Sequence, residues 1–163
     1  LANTGHLTLA TLHTNDAPSA ISRLYKMGVE PFLLAYSINI IIAQRLVRKL
    51  CAHCKKPLPE HKWTAAIEFG FKREELEKGL IFEAVGCEKC SHGYKGRINI
   101  AEALYFHNDI CEAIVKAGDM IDEEQVKKLA QGHGMLTMRD SGMHRIRDGQ
   151  TTIEEVAYAT SEK

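Results

Sequence analysis

No stretch of this sequence is long and apolar enough to cross a bilayer. A spanning helix needs roughly 18 or more apolar residues; the longest candidate lies around residues 38–43, with Ser37 and Asn39 interrupting it upstream. No charged segment followed by an apolar one opens the sequence, so no secretory signal peptide is expected within it. The first residue is Leu1 rather than Met, so the sequence is expected to be part of a longer protein. Internal repeats and low-complexity segments are absent. A phosphate-binding G-x-x-x-x-G-K-[ST] loop is also missing, for the three glycines between Gly86 and Arg97 have the wrong spacing. What remains is an average composition, 45% hydrophobic and 26% charged over 163 residues. Such a chain is neither disordered nor collagen-like, and its length suits one or two domains.

Net charge is zero, but its distribution is uneven. Residues 43–62 hold six basic side chains (Arg45, Arg48, Lys49, Lys55, Lys56, Lys62) against Glu60 alone, whereas residues 102–163 carry a net charge of −5. A basic stretch can serve nucleic acid or an acidic membrane. No aromatic residue lies within it to stack on bases, however.

Periodicity predicts an α/β chain. Residues 6–13 alternate leucine with threonine and histidine, as a strand would. Asn15 or Asp16 followed by Pro18 predicts a helix start, with Ala17, Ala20, Ile21, Leu24 and Met27 on one face and Gly28 as the stop. A second helix is expected over residues 31–44, apolar nearly all round, and a short strand at Leu46, Val47 and Leu50. Residues 55–60 read as a connection, 63–69 and 74–78 as helices, 80–85 as a strand, 91–96 as a turn and 97–106 as a strand. The last third predicts four short helices. The first starts at Asn108 or Asp109 and stops at Gly118; the others start at Asp122, Thr137 and Thr152. Val126, Leu129, Met135, Leu136, Met143, Ile146, Ile153 and Val156 are expected to pack these helices together, leaving an acidic outer face.

The strongest chemical signal is a doubled cysteine pair, Cys51-Ala-His-Cys54 and Cys87-Glu-Lys-Cys90. One C-x-x-C turn presents two thiolates to one ion, and two such turns supply the tetrahedral sulfur set that zinc accepts. Each pair alone also fits a redox couple or two buried thiols; the doubling favours metal. Four sulfurs close the coordination sphere, so a structural ion is expected rather than a catalytic one. Arg48, Lys49, Lys55, Lys56, Lys89 and Lys95 lie close in sequence and are expected to offset the thiolate charge and lower the thiol pKa values. His53 and His92 are alternative ligands, and Cys111 reads as a small core residue. His6 and His13 flank the first predicted strand. His13 could bond a phosphate at the strand's carboxyl end, or be an ordinary satisfied histidine.

Several blocks in fixed order extend these readings. They are Thr4-Gly5-His6-Leu7, Thr11 through Ala17, Arg23-Leu24, Met27-Gly28-Val29-Glu30-Pro31-Phe32, Ala43 through Cys51, Gly93-Tyr94-Lys95-Gly96-Arg97, Ala101-Glu102-Ala103-Leu104 and Gly149 through Val156. Together with the cysteine pairs they resemble the ATPases that drive type II secretion and type IV pilus assembly. The resemblance implies the C-terminal part of a RecA-like P-loop motor domain with a four-cysteine zinc insertion and a C-terminal helical region. The implied division is 1–50 for the end of the motor core, 51–97 for the zinc module and 98–163 for a strand and helices.

It further implies a hexamer on the cytoplasmic side of the bacterial inner membrane, bound there through secretion or pilus platform proteins, with no nucleic-acid partner. His6 and His13 inherit a place near the γ-phosphate. ATP and magnesium belong to the parent protein, since the phosphate loop of the family precedes the match; this stretch alone is expected not to hydrolyse ATP. A different class fits the composition too, a free-standing zinc-binding interaction module, for example one that binds nucleic acid through the basic stretch.

Overall fold

The computed structural model describes residues 5–117 and 120–161. Thr4, in the first family block, and the expected helix stop at Gly118 lie outside the described residues. The chain forms two compact units, each drawn from two separated stretches. One holds the chain up to Gln44 together with Ala101–Thr137; the other holds Arg45–Ile100 together with the chain from Met138 onward.

In the first unit, α1 (Ala17–Lys26) starts as expected: the Asp16 carboxylate accepts from Ser19 N–H at 2.8 Å, and Pro18 sits in the first turn. A second carboxylate joins this cap. Glu102, only 5% exposed, accepts from Ala17 N–H at 2.7 Å, placing negative charge at the positive end of the helix. α2 (Pro31–Ser37) is half the length expected. The predicted helix over residues 31–44 gives way to a strand, β1 (Ile40–Leu50), which absorbs the short strand expected at its end. Ile40, Ile41 and Ile42 are β-branched; they lose side-chain freedom in a helix and suit a pleated strand.

The strand predicted over residues 6–13 does not form. Those residues have no regular structure, and Leu7 and Leu9 are 91% and 90% exposed. Strand geometry persists only where a neighbour takes the backbone hydrogen bonds, and no described strand lies beside this segment.

Helix α5 (Asn108–Lys116) packs on α2 and on α6 (Glu123–Gly132), and α6 packs on α1. Ile21, Leu34, Ile110, Ile114 and Val126 are buried among them. Asp122 caps α6 by accepting from Glu124 and Gln125 N–H groups, as the spacing predicts. Cys111 is a buried core thiol bonded to the Ala35 carbonyl, at 3.1 Å.

In the second unit, β2 (Lys56–Pro57) and β3 (Phe82–Glu83) form a two-residue antiparallel ladder, Lys56 opposite Glu83 and Pro57 opposite Phe82. The strand expected over residues 80–85 is thus shorter, because its partner is short. α3 (Trp63–Phe69) and α4 (Arg73–Glu77) occur where predicted. The long strand β4 (Tyr94–Tyr105) pairs with β1 and begins three residues before the expected start at Arg97.

Helices α7 (Met138–Arg147) and α8 (Ile153–Thr160) pack on each other and close a core of Leu58, Ala66, Phe71, Leu76, Ile81, Ile146 and Val156. The four C-terminal helices therefore do not pack as one group: α5 and α6 complete one unit, α7 and α8 the other. Of the residues expected to bury, Val126, Ile146 and Val156 do so and Leu136 is exposed. Leu136 lies between α6 and α7 and so has no helix face to turn inward.

Candidate functional site: a four-cysteine centre

The two cysteine pairs sit on two tight turns of the second unit. In the first, Cys54 and Lys55 N–H groups both donate to the Cys51 carbonyl, at 3.3 and 3.1 Å; in the second, Cys90 N–H donates to the Cys87 carbonyl at 3.2 Å. Cys51 N–H donates to the Gly93 carbonyl at 2.8 Å and so holds the first turn against the second. Position 93 itself demands glycine: φ is +86°, and a Cβ there would lie 2.6 Å from the Ala84 Cβ and 2.9 Å from the Val85 nitrogen.

The result is one sulfur cluster. All four Sγ atoms lie within 4.8 Å of one another. Cys51–Cys87 are separated by 4.0 Å, Cys54–Cys90 by 3.7 Å and Cys87–Cys90 by 3.6 Å. A tetrahedron with metal–sulfur bonds of about 2.3 Å has sulfur–sulfur edges of about 3.8 Å. Disulfides need sulfurs at about 2.05 Å, and these thiols are free. The donor set and spacing therefore fit a metal ion. His53 and His92, the alternative ligands, are exposed and stand outside the cluster.

Two of the four thiols, Cys54 and Cys90, are shifted in opposite directions. Burial pushes the Cys54 thiol up to about 12, helped by hydrogen bonds shared with the other three thiols and opposed by the Gly86 N–H. Burial acts upward on Cys90 too. There the N–H and thiol of Cys87, the Gly93 N–H and Cys54 outweigh it and hold Cys90 at about 7.

Much of the basic stretch has partners other than sulfur. Arg48 binds Glu155, Lys62 binds Glu83 at 2.7 Å, and Lys55 donates to the Gly149 carbonyl at 2.7 Å. Arg45 donates to the Ala159 carbonyl at the end of α8, at 2.6 Å. Arg45, Arg48 and Lys55 thereby meet residues 149–159, through two backbone carbonyls and one carboxylate, and Lys62 meets Glu83.

His6 and His13 belong to the first unit and are exposed. His13 lies three residues before the Asp16 cap of α1. Sequence reasoning missed a second group around the cysteine turns. The Arg48 guanidinium stands 4.1 Å from the centroid of the Tyr94 ring, and the Tyr94 hydroxyl meets the Thr152 hydroxyl at 3.0 Å. Thr152 caps α8 by accepting from Glu155 N–H, and Glu155 binds Arg48. The capping pattern at Thr152 and Glu155 was visible in the sequence, but their strand partners were not.

A mixed helix and strand chain with four thiols grouped closely enough to hold a metal ion fits an α/β domain. The sequence model of the type II/IV secretion system proteins matches residues 1–158, and the chain belongs to that family. It is 42% identical over 161 residues to the type IV pilus assembly ATPase PilB of Myxococcus xanthus, covering 98% of this chain and 28% of that protein. With the PilB of Thermus thermophilus identity is 44% over 165 residues, covering 99% of this chain and 18% of the relative. The type II secretion system ATPase E of Vibrio cholerae is 40% identical over 161 residues, covering 98% and 30%. The chain thus spans less than a third of the length of these curated relatives. Among the described residues no helix is long and apolar enough to cross a membrane.

Proposed function

We propose that this chain is the C-terminal portion of a hexameric ATPase that powers pilus or pseudopilus assembly on the cytoplasmic face of the inner membrane, acting through platform proteins there. The observation that carries the reading is a family match over nearly the whole chain to ATPases of pilus assembly and type II secretion. Residues 1–50 then end a RecA-like motor core, 51–97 form the metal module, and 98–163 complete the chain.

Cys51, Cys54, Cys87 and Cys90 would hold one zinc ion as thiolates. Zinc bound there supplies a structural crosslink between the two turns, since four sulfurs leave no open position. The chain's own contribution is to hold the turns in register through the Cys51–Gly93 hydrogen bond. ATP and magnesium would be bound elsewhere in the full protein, because the phosphate-binding loop is absent from this sequence. His6 and His13 would approach the γ-phosphate from the segment before α1. Consumption of Arg48, Lys55 and Lys62 in internal contacts favours this reading over a nucleic-acid binder.

The test is metal analysis and ATP turnover of the full-length protein and its Cys51→Ser variant. The expected result is about one zinc per chain, lost on substitution, with turnover in the parent and none in the isolated stretch. A reduced, folded protein free of metal would overturn the zinc assignment, and a full-length protein without ATPase activity would overturn the motor assignment.

A further inference from the structure

The first cysteine turn is gripped on both flanks by one short stretch nearly a hundred residues further along the chain. Before it, Leu50 N–H donates to the Gln150 carbonyl at 2.8 Å. After it, the Lys55 ammonium donates to the Gly149 carbonyl at 2.7 Å and stands 4.3 Å from the centroid of the Phe82 ring. The seat admits only glycine: φ at Gly149 is +63°, and a Cβ would come within 2.8 Å of Lys55 Nζ and 2.9 Å of Phe82.

The second turn reaches the same stretch. Gly93 holds Cys51, and the next residue, Tyr94, binds the Thr152 hydroxyl. Thr151 donates to the Arg48 carbonyl at 2.8 Å, and both threonines are buried. Contacts from both cysteine turns thus converge on residues 149–152, which end in the cap of α8.

We propose that residues 149–152 are a latch through which occupancy of the four-cysteine centre sets the docking of α8. The inference rests on the reading of the cluster as a metal centre. With metal bound, the two turns are fixed relative to each other, and Lys55 and Tyr94 stand where Gly149 and Thr152 can meet them. With metal removed, the turns separate, both anchors move, and the Thr152 hydroxyl that caps α8 loses the Tyr94 hydroxyl that holds it in place. A helix of eight residues does not persist alone in water. Val156 is its one fully buried side chain and packs on α7, so the order of its first turn draws on the attachment at residues 149–152 as well as on that packing. Thermodynamic linkage makes the effect reciprocal: whatever the metal contributes to latching, latching returns to metal affinity.

The experiment is hydrogen exchange followed by mass spectrometry on the full-length protein, zinc-loaded and after chelation. It is paired with zinc affinity measured by competition with a chromophoric chelator. Chelation is expected to speed exchange over residues 153–160 along with residues 51–54, while α5 and α6 keep their protection. Tyr94→Phe removes one hydroxyl and no charge. It is expected to retain one zinc per chain, to weaken zinc binding about fivefold, and to speed exchange at the first turn of α8 even when loaded. Arg73→Ala, which breaks an exposed pair with Glu77, should change neither readout. Zinc that binds and, on removal, loosens residues 51–54 but leaves 153–160 unchanged would overturn the latch while the metal reading stood. Unaltered zinc affinity in Tyr94→Phe would also overturn it. A protein that binds no zinc would remove both.

Discussion

Glu155 takes both a main-chain and a side-chain hydrogen bond from Arg48. Its Oε2 accepts from the Arg48 backbone N–H at 2.8 Å, and its Oε1 accepts from the guanidinium Nε and Nη2 at 2.9 and 2.6 Å. Together with Thr151 on the Arg48 carbonyl and Gln150 on the Leu50 N–H, it dresses one edge of β1 that would otherwise offer unpaired backbone groups. A helix N-terminus thus finishes a strand. Glu155→Ala removes the acceptor for a backbone group and for a charge at once. It should cost about 2 kcal/mol of stability, discounted from a buried pair because the Arg48 side chain is half exposed. Glu155→Gln, which can still accept from the N–H, should cost less. Denaturant titrations of the two variants check the order, and an equal loss would show that only charge matters.

Acid should loosen the second unit through two carboxylates. Burial acts upward on Glu155, but the Arg48 hydrogen bonds and charge bring it below the usual carboxylate range. Glu75 is held down chiefly by the Arg147 guanidinium, at 2.6 Å, and then by Lys72 N–H. A depressed pKa in the folded state contributes stability that is full above the unfolded value, about 4.3 for glutamate. It is lost as pH falls toward the folded values. The stability of residues 138–161 should therefore decline below about pH 4.3, and Glu75→Gln with Glu155→Gln should flatten that decline while lowering stability at neutral pH. Identical acid slopes in parent and double variant would exclude these groups as its source.

Local features were legible in the sequence, and long-range ones were not. Asp16, Asp122 and Thr152 cap helices where their spacing put them, because a cap is settled within three or four residues. The cysteine centre was legible because metal chemistry fixes ligand spacing independently of the fold. Residues 38–44 misled because an apolar run lacks a decisive period, and the β-branched isoleucines, not hydrophobicity, decide it. The Arg48–Glu155 contact spans 107 residues of sequence, and nothing local to either residue announces the other.

Gly142 should resist alanine even though it lies inside a helix, where alanine ordinarily stabilises. A Cβ at this position would collide with Val156 Cγ1 and stand 3.0 Å from its Cγ2, so α7 and α8 are in close contact here. Gly142→Ala should destabilise by about 1–3 kcal/mol. Val156→Ala opens the space that the new methyl needs, so the double variant should be less destabilised than the sum of the singles. Additive losses, or a stabilised Gly142→Ala, would mean that the helices can part without cost.

Ile114 is fully buried in the first unit, on the face of α5 toward α2 and α6. Ile114→Ala should cost about 2–4 kcal/mol through lost burial and the cavity left behind. Zinc content should be unaffected, because the cysteine turns belong to the other unit. Loss of zinc together with stability in this variant would show that the two units unfold as one.

His13 and His6 can be separated by kinetics in the full-length protein. Both are exposed here and both lie in a segment without regular structure, but only His13 sits next to an element held from two sides, by Asp16 and by Glu102. A side chain that meets the γ-phosphate in the transition state should, when removed, lower kcat more than it weakens nucleotide binding. His13→Ala is expected to show that split. His6→Ala, further from the anchored end of the segment, should show a smaller one. Glu102→Gln offers the internal control: it keeps the shape and weakens the hold on Ala17 N–H, so it should lower kcat partially through misplacement of His13 and add little to the loss in a His13→Ala background. Full turnover in His13→Ala would remove that residue from the nucleotide site and leave Glu102 with only its helix-capping role.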